Sequence, residues 1–340
     1  MNDFPRILRI ETGFSPIKGV NQNTWTEIID YGIYEHIPLG WRRIEQVMQL
    51  DLILALHARK ISGQFDLIWA DSEKVGIPLA LLGIKTPIIT LCHHMASPKK
   101  RRIVKSFGIT RKWAGAGYIT KASKTLLLDY YEIPANRLIR VVFLNIDINK
   151  YKPASLVTEG SILSLGIAKR DYRTLIASLK QLPGYETNIH VSSRYNDMYK
   201  GGLSESVPDW IRFERRLSDK DLINRYQQSR FVVLPLENTT LFSAGVSVAL
   251  EASALGKAVI ATKTQGMTDC VIDGVTGLLV PPYDVEAMRD AIYTLWNNPE
   301  LAYKMGLEGR KYTENEFNKE QNHHDIKEFI LRIYKINLHV

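Results

Sequence analysis

Short apolar runs alternate with stretches of helical periodicity along most of the 340 residues. In the first half, RILRIE (6–11), DLIWA (66–70), PIITLC (87–92), GYIT (117–120) and RVVFL (140–144) read as strands. In the second half, SILSLG (161–166), NIHVSS (188–193), WIRFE (210–214), FVVLPL (231–236), AVIAT (258–262) and GLLVP (277–281) read the same way. Helical patterns lie between them, around Ala80 and over 121–132, 172–181, 219–228 and 246–255. Near the end, EAMRDAIYTLW (286–296) puts Ala287, Met288, Ala291, Ile292, Leu295 and Trp296 on one face. Pro299 interrupts, and 317–336 carries Phe329, Ile330, Ile333 and Tyr334. Strands alternating with helices predict parallel sheets with right-handed crossovers. One sheet of about eleven strands would be unusually wide, so two sheets are expected. The polar stretch DINKYKPASLVTEGS (147–161), with Pro153 and Gly160, separates two complete strand–helix series and marks the expected boundary.

Composition narrows this picture only slightly. The chain is long enough for two domains, 45% apolar and 24% charged, as a soluble globular protein is. A formal charge of +8 permits an anionic substrate, a nucleic acid or an anionic membrane, and selects none of them. Two cysteines, Cys92 and Cys270, make neither a disulfide framework nor a zinc site. The start, MNDFPRILRIE, lacks the apolar core of a signal peptide, and the runs at 50–58 and 77–84 are too short to cross a bilayer. A cytoplasmic protein is therefore expected.

The chemistry concentrates between Leu234 and Asp284. There an apolar strand runs into a polar loop, a helix of small residues with one carboxylate, a second strand, and a turn containing Gln265 and Gly266. Parallel sheets bind anions at such loops, because exposed helix N–H groups and the helix dipole favour phosphate. Ser243, Ser247 and Glu251 stand at i, i+4 and i+8, and so share a face spanning roughly 12 Å. That suits a ligand with a phosphate at one end and sugar hydroxyls at the other. Ser243 is the expected N-cap, and Gly245 allows close approach of a ligand to the backbone. The same pattern also fits a buried helix with a carboxylate at its solvent edge. No GxGxxG follows a strand, and AGAG (114–117) precedes its expected strand. A dinucleotide fold is disfavoured for that reason, and Gly256-Lys257 lacks the remainder of a P-loop.

VALEASALGKAVIA and QGMTDCVIDGVTGLLVPPYDVEAM together resemble the C-terminal half of retaining, family-4-type nucleotide-sugar glycosyltransferases of the GT-B fold. The resemblance covers about 45 residues of the chain. It implies an α/β protein with two Rossmann-like domains, their parallel sheets facing across a cleft. The expected domains are 1–150 for the acceptor and 151–315 for the donor, with a helix over 316–340 returning to the first. Glu251 matches the family Glu that binds the donor ribose. The family's preceding Glu is replaced by Ser243, with Ala244, Gly245 and Val246 after it. SLGIAKRDYRTLIASL (164–179) is similar to the segment that grips the donor diphosphate. Arg170 stands in place of the family Lys, with Lys169 beside it, and Ile167 occupies the place of the usual loop Arg. By resemblance, Lys169, Arg170, Ser243 to Val246, Glu251, Gln265 and Gly266 form the donor site.

TPIITLCHH resembles the strand after which the family places a His near the sugars, which leaves His93 and His94 as candidates. With Ser243 they make the candidate catalytic set, although a His pair after a strand is also a common structural feature. Gly13, Ser15 and Lys18 are the acceptor-side candidates. No metal and no cofactor is expected, and the donor sugar nucleotide serves as substrate. KKRRIVKSFGITRKW (99–113) interleaves basic with apolar residues. It suits peripheral contact with an anionic membrane, an anionic acceptor, or a solvated loop. No nucleic-acid module is present. The implied activity is transfer of a sugar from a nucleotide diphosphate sugar to a hydroxyl acceptor with retention, the acceptor being a glycan, a lipid-linked group or a small molecule. The alternatives are a non-catalytic relative that binds a nucleotide sugar or a partner enzyme, and a nucleotide-sugar epimerase or phosphorylase on the same fold.

Overall fold

The computed structural model describes residues 4–12, 27–36, 39–141, 148, 151–153, 155–166, 169–190, 207–214 and 219–338. The chain divides into two compact units, Met1–Asn145 with Lys319–Val340, and Ile146–Asn318. Each is built on a six-stranded sheet in which every described strand pair is parallel.

The first unit contains β1 (Ile7–Ile10), β2 (Glu27–Ile29), β3 (Leu67–Ala70), β4 (Ile88–Leu91), β5 (Gly115–Tyr118) and β6 (Leu138–Arg140), in the order β2-β1-β3-β4-β5-β6. Its helices are α1 (Leu39–Met48), α2 (Leu52–Ile61), α3 (Glu73–Leu81), α4 (Pro98–Ser106) and α5 (Lys121–Thr125), which continues as a π-helical turn over Leu126–Tyr130. β1, β3 and β4 are buried at every position; β3 is wholly apolar, while Arg9 in β1 and Thr90 in β4 are buried polar positions. β5 corrects the sequence reading, because Gly115, Ala116 and Gly117 lie inside the strand. A Cβ at Gly115 would come within 2.7 Å of Phe329 Cζ, and one at Gly117 within 2.9 Å of Leu91 Cδ1. The glycines make room for packing and form no phosphate loop. Phe329 belongs to the terminal helix α11 (Lys319–Asn337), which also donates from Asn322 Nδ2 to Arg140 O at 2.9 Å.

The second unit contains β7 (Ile162–Leu165), β8 (Thr187–His190), β9 (Ile211–Glu214), β10 (Val232–Leu234), β11 (Val259–Thr262) and β12 (Gly277–Val280), in the order β12-β11-β10-β7-β8-β9. Its helices are α6 (Tyr172–Leu179), α7 (Asp219–Gln228), α8 (Val246–Ala254), α9 (Val285–Asn297) and α10 (Pro299–Glu316). α6 and α9 pack together over a core that includes Tyr172, Leu175, Ile292 and Leu295. α10 packs on α8 through small residues, and a Cβ on Gly306 would sit 1.9 Å from Gly256 O. Among the described residues, no helix is long and apolar enough to cross a membrane.

Candidate functional site

In the second sheet β7 lies between β8 and β10. The chain leaves β7 for β8 and β9 on one side, and returns for β10, β11 and β12 on the other. The carboxyl ends of β7 and β10 therefore flank a topological switch point, where open parallel sheets take their ligands. Three loops meet there. Residues after β7 run back against those after β10, with Asp171 N donating to Pro235 O at 3.0 Å and Glu237 N to Lys169 O at 3.1 Å. Leu236 N donates to Thr262 Oγ1 at the end of β11, 2.8 Å away. The turn after β11 packs on the turn before α8 so closely that a Cβ on Gly266 would lie 1.7 Å from Phe242 O.

Arg170 is the buried cation of this site. Its Nε donates to Leu165 O at 2.8 Å, holding the guanidinium under the strand end. Gly166 has φ +107°, which favours glycine, and a Cβ there would stand 2.3 Å from Arg170 Nη2 and push the guanidinium aside. Burial lowers the Arg170 pKa, while nearby Tyr172 and Tyr226 act against that. An arginine so placed still keeps its proton, giving the strand end a fixed positive charge. Lys169 is half exposed and pairs with Glu237 at 3.2 Å. Such a surface pair is weak, and an anionic ligand can take the lysine from it.

Glu251 lies partly exposed on the second turn of α8, where it accepts from Tyr226 Oη at 2.9 Å. Tyr226, on α7, is fully buried. Burial, then the Glu251 charge and the hydrogen bond, push its phenol well above the ordinary range, while Arg170 opposes the rise. The phenol therefore ties Glu251 to the core within electrostatic range of Arg170.

The helix occupies Val246–Ala254, within the expected 246–255, but its N-cap is not Ser243. Ser243 sits in a turn, and Gly245, at φ +82°, is the N-cap with no side-chain cap bond. The left-handed φ favours glycine at this cap, and a Cβ there would also press on Leu236 at 3.2 Å. Ser243 thus lies off the helical face shared by Ser247 and Glu251. Two of the expected phosphate donors are already engaged, Ala244 N with Leu241 O and Val246 N with Ser243 O. Gln265 is exposed at the rim, and Gly266 is buried beneath it.

The first unit has its own switch point, between β1 and β3. Acidic and basic side chains fill it. Arg9 is buried against Asp71 at 3.3 Å and pairs with Glu11 at 3.2 Å, and Trp69 Nε1 donates to Asp71 Oδ1 at 2.7 Å. Glu73, the first residue of α3, accepts from His93 N at 2.8 Å, His94 N at 3.3 Å and Lys100 Nζ at 2.5 Å. Burial alone would raise the Glu73 carboxyl, but Lys100, His93 and their hydrogen bonds outweigh it and hold its pKa at about 2. His93 Nε2 donates to Asp71 O at 2.7 Å, so in the neutral ring the proton resides on Nε2. Both histidines thus sit on a loop fixed through its backbone. Gly13, Ser15, Lys18 and Ile167 lie outside the described residues. Among the described residues, no cluster of three or more His, Cys, Asp or Glu could hold a metal ion.

Sequence reasoning missed Tyr226, Glu73, Asp71 and Arg9. Glu73 carries one usable signal, an acidic residue after Ser72 at the start of a helix that follows a strand. Tyr226 carries none, since a helix tyrosine reads as core.

Residues 174–312 match the family model for glycosyl transferases group 1. That stretch contains Tyr226, Ser243, Glu251 and Gly266. The second unit is a glycosyl transferases group 1 domain. A D-inositol 3-phosphate glycosyltransferase of Saccharomonospora viridis is 34% identical over 108 residues, which are 32% of this chain and 24% of that protein. The chain therefore matches only about a quarter of that relative's length. Sucrose-phosphate synthase of Thermosynechococcus elongatus superposes with a TM-score of 0.79 at 18% identity, over 97% of this chain and 99% of that one. Anabaena HepE in complex with UDP-glucose gives 0.73 at 15% identity, over 99% and 100%. At such identities the likeness is one of fold, and the fold is GT-B. The group 1 domain carries the Arg170 loop on its amino-terminal side, just ahead of the matched stretch.

Proposed function

We propose that the chain is a glycosyltransferase that moves a sugar from a nucleoside diphosphate sugar to a hydroxyl acceptor, with retention at the anomeric carbon. The observation that carries this reading is the fixed Arg170 charge at the switch point, with Glu251 held by Tyr226 on the adjoining helix. Glu251 takes the ribose hydroxyls, and Arg170 and Lys169 take the diphosphate. Gln265 and Gly266 border the donor. In the reaction the bond from the anomeric carbon to the diphosphate breaks and a bond to the acceptor oxygen forms. The nucleoside diphosphate departs with the electron pair, and its phosphate oxygen takes up the proton that the acceptor hydroxyl gives up. Cations at the departing phosphate stabilise the charge developing there. His93 or His94 orients the reacting sugar or the acceptor. The reading needs no metal and no cofactor beyond the donor. It places the protein in the cytoplasm, with 99–113 resting against an anionic membrane surface. The HepE complex with UDP-glucose supports a uridine nucleotide as the first donor to try.

Calorimetry and thermal shift with UDP, GDP, ADP and their sugars test the donor site. One nucleotide family is expected to bind saturably, and Glu251→Ala to weaken it roughly tenfold to a hundredfold, the worth of hydrogen bonds to a charged group. A folded protein that binds none of them rules the donor site out. Ser243, standing where the family pattern that this segment resembles has Glu, favours a second reading as a donor-binding relative without turnover. Tight donor binding with no sugar transfer to any acceptor supports that one.

A further inference from the structure

α4 is nine residues long and carries most of the basic segment. Its inner side is fixed, because Val104 is buried and Lys100 reaches Glu73. Ser97 caps its start by accepting from Lys100 N, and Pro98 occupies the first turn. Its outer side borders a surface pocket of about 490 Å³ lined by Pro98, Arg101, Arg102, Lys105, Ser106 and Tyr130. Three of these six side chains are cationic, and no carboxylate lines the pocket. Asp129, the sequence neighbour of Tyr130, is not among the lining residues.

Two details show that this arrangement is incomplete by itself. Arg101 and Lys105 both approach the ring of Tyr130, each charge 4.8 Å from its centroid. One ring offsets each cation by only about 1 kcal/mol, and two like charges sharing it repel. Arg101 Nε is also a buried donor with no hydrogen-bond partner. A buried donor left unmade is costly, and an anion between the guanidinium and the ammonium would remove the repulsion between them.

We infer that the pocket between α4 and Tyr130 binds a phosphate ester, with Arg101, Arg102 and Lys105 around its oxygens. Arg101 and Arg102 supply planar N–H forks and Lys105 a point charge, the set that recognises tetrahedral oxyanions. Ile103, 37% exposed, and Phe107, 61% exposed, lie on the same segment, so the ester can belong to a soluble molecule or to a lipid headgroup whose chains the two apolar residues meet. The pocket is built entirely from residues of the first unit, and the inference does not depend on the glycosyltransferase reading.

The test titrates inorganic phosphate and glycerol 3-phosphate into the full-length protein at constant ionic strength. In parallel, the protein is sedimented with phosphatidylcholine vesicles with and without phosphatidic acid. The double variant Arg101→Gln/Lys105→Gln is expected to weaken binding of whichever probe the wild type prefers by at least about tenfold. Lys169→Gln is expected to leave that binding unchanged, which separates this site from any phosphate binding at the donor diphosphate position. A lipid source shows as phosphatidic acid binding that falls on Phe107→Ser while phosphate binding holds. A soluble source shows as glycerol 3-phosphate binding that Phe107→Ser leaves alone. Arg102 is exposed, and Arg102→Gln repeats the test should the double variant unfold. Equal binding by the wild type and these variants, or binding fully replaced by chloride, overturns the site.

Discussion

The two units share a sheet plan but fill their switch points in opposite ways. In the first, carboxylates and cations from β1, β3, α3 and α4 lock together, and the His93 loop hangs from Glu73. In the second, glycines at 166, 245 and 266 bring three loops together around one buried arginine. Buried side-chain charge fixes a loop firmly but leaves few free polar groups, whereas glycine-built loops bring backbone and a held cation up to a ligand. The first arrangement is suited to positioning a residue, and the second to holding an anion.

The largest expected effect comes from splitting the Glu73–Lys100 pair, which is nearly inaccessible to solvent. Glu73→Gln or Lys100→Met leaves an uncompensated buried charge and should cost about 3–5 kcal/mol in urea unfolding. Combining the two should cost less than the sum, because no lone charge remains. Equal costs for the double and the summed singles would mean that the pair does not act as a unit.

Acid should probe the same pair without a mutation. The folded pKa of Glu73 is about 2, below its ordinary 4.5. A depressed carboxylate stabilises the fold above the unfolded pKa and loses that contribution as pH falls through the folded one. Stability of the first unit should therefore decline between about pH 4.5 and 2, by roughly 3 kcal/mol from this group. Glu73→Gln should flatten that decline, and an unchanged acid profile in the variant would assign the loss to other groups.

In the second unit the comparable disruption is Gly166→Ala. At φ +107° with Arg170 Nη2 in the way, alanine should strain the loop by about 1–3 kcal/mol and displace the guanidinium. Nucleotide affinity should fall with stability. If both held, the glycine would not be what positions Arg170.

What could be read in the sequence follows the same division. Strands such as Val259–Thr262 are buried on both faces and announce themselves as apolar runs. β2 does not, because two of its three residues are exposed. α10 was missed because its buried positions include Gly306, Gly309 and Thr313, which leave no apolar stripe. The glycine-built donor loops lie close together in the chain and were legible as a local motif. Only the N-cap of α8 differs, because the left-handed backbone at residue 245, φ +82°, favours glycine there. The network of the first unit draws on residues from 9 to 100, and no local pattern links Arg9 to Asp71 or Glu73 to Lys100. Tyr226 is separated from Glu251 by 25 positions and by a whole strand.

The smallest expected effect is the most informative about the second unit. Tyr226→Phe removes one hydroxyl from a fully buried ring and leaves the packing intact. Glu251 then loses the bond that orients its carboxylate, worth about 1 kcal/mol, or roughly fivefold in nucleotide affinity. The rate at saturating donor should hold, since the phenol acts through Glu251 and not on the reacting atoms. In a Glu251→Ala background the same change should do almost nothing, because the group it orients is gone. Equal losses in both backgrounds would reduce Tyr226 to a packing residue. Glycine geometry and Arg170 would then be all that this structure offers as the organiser of the second site.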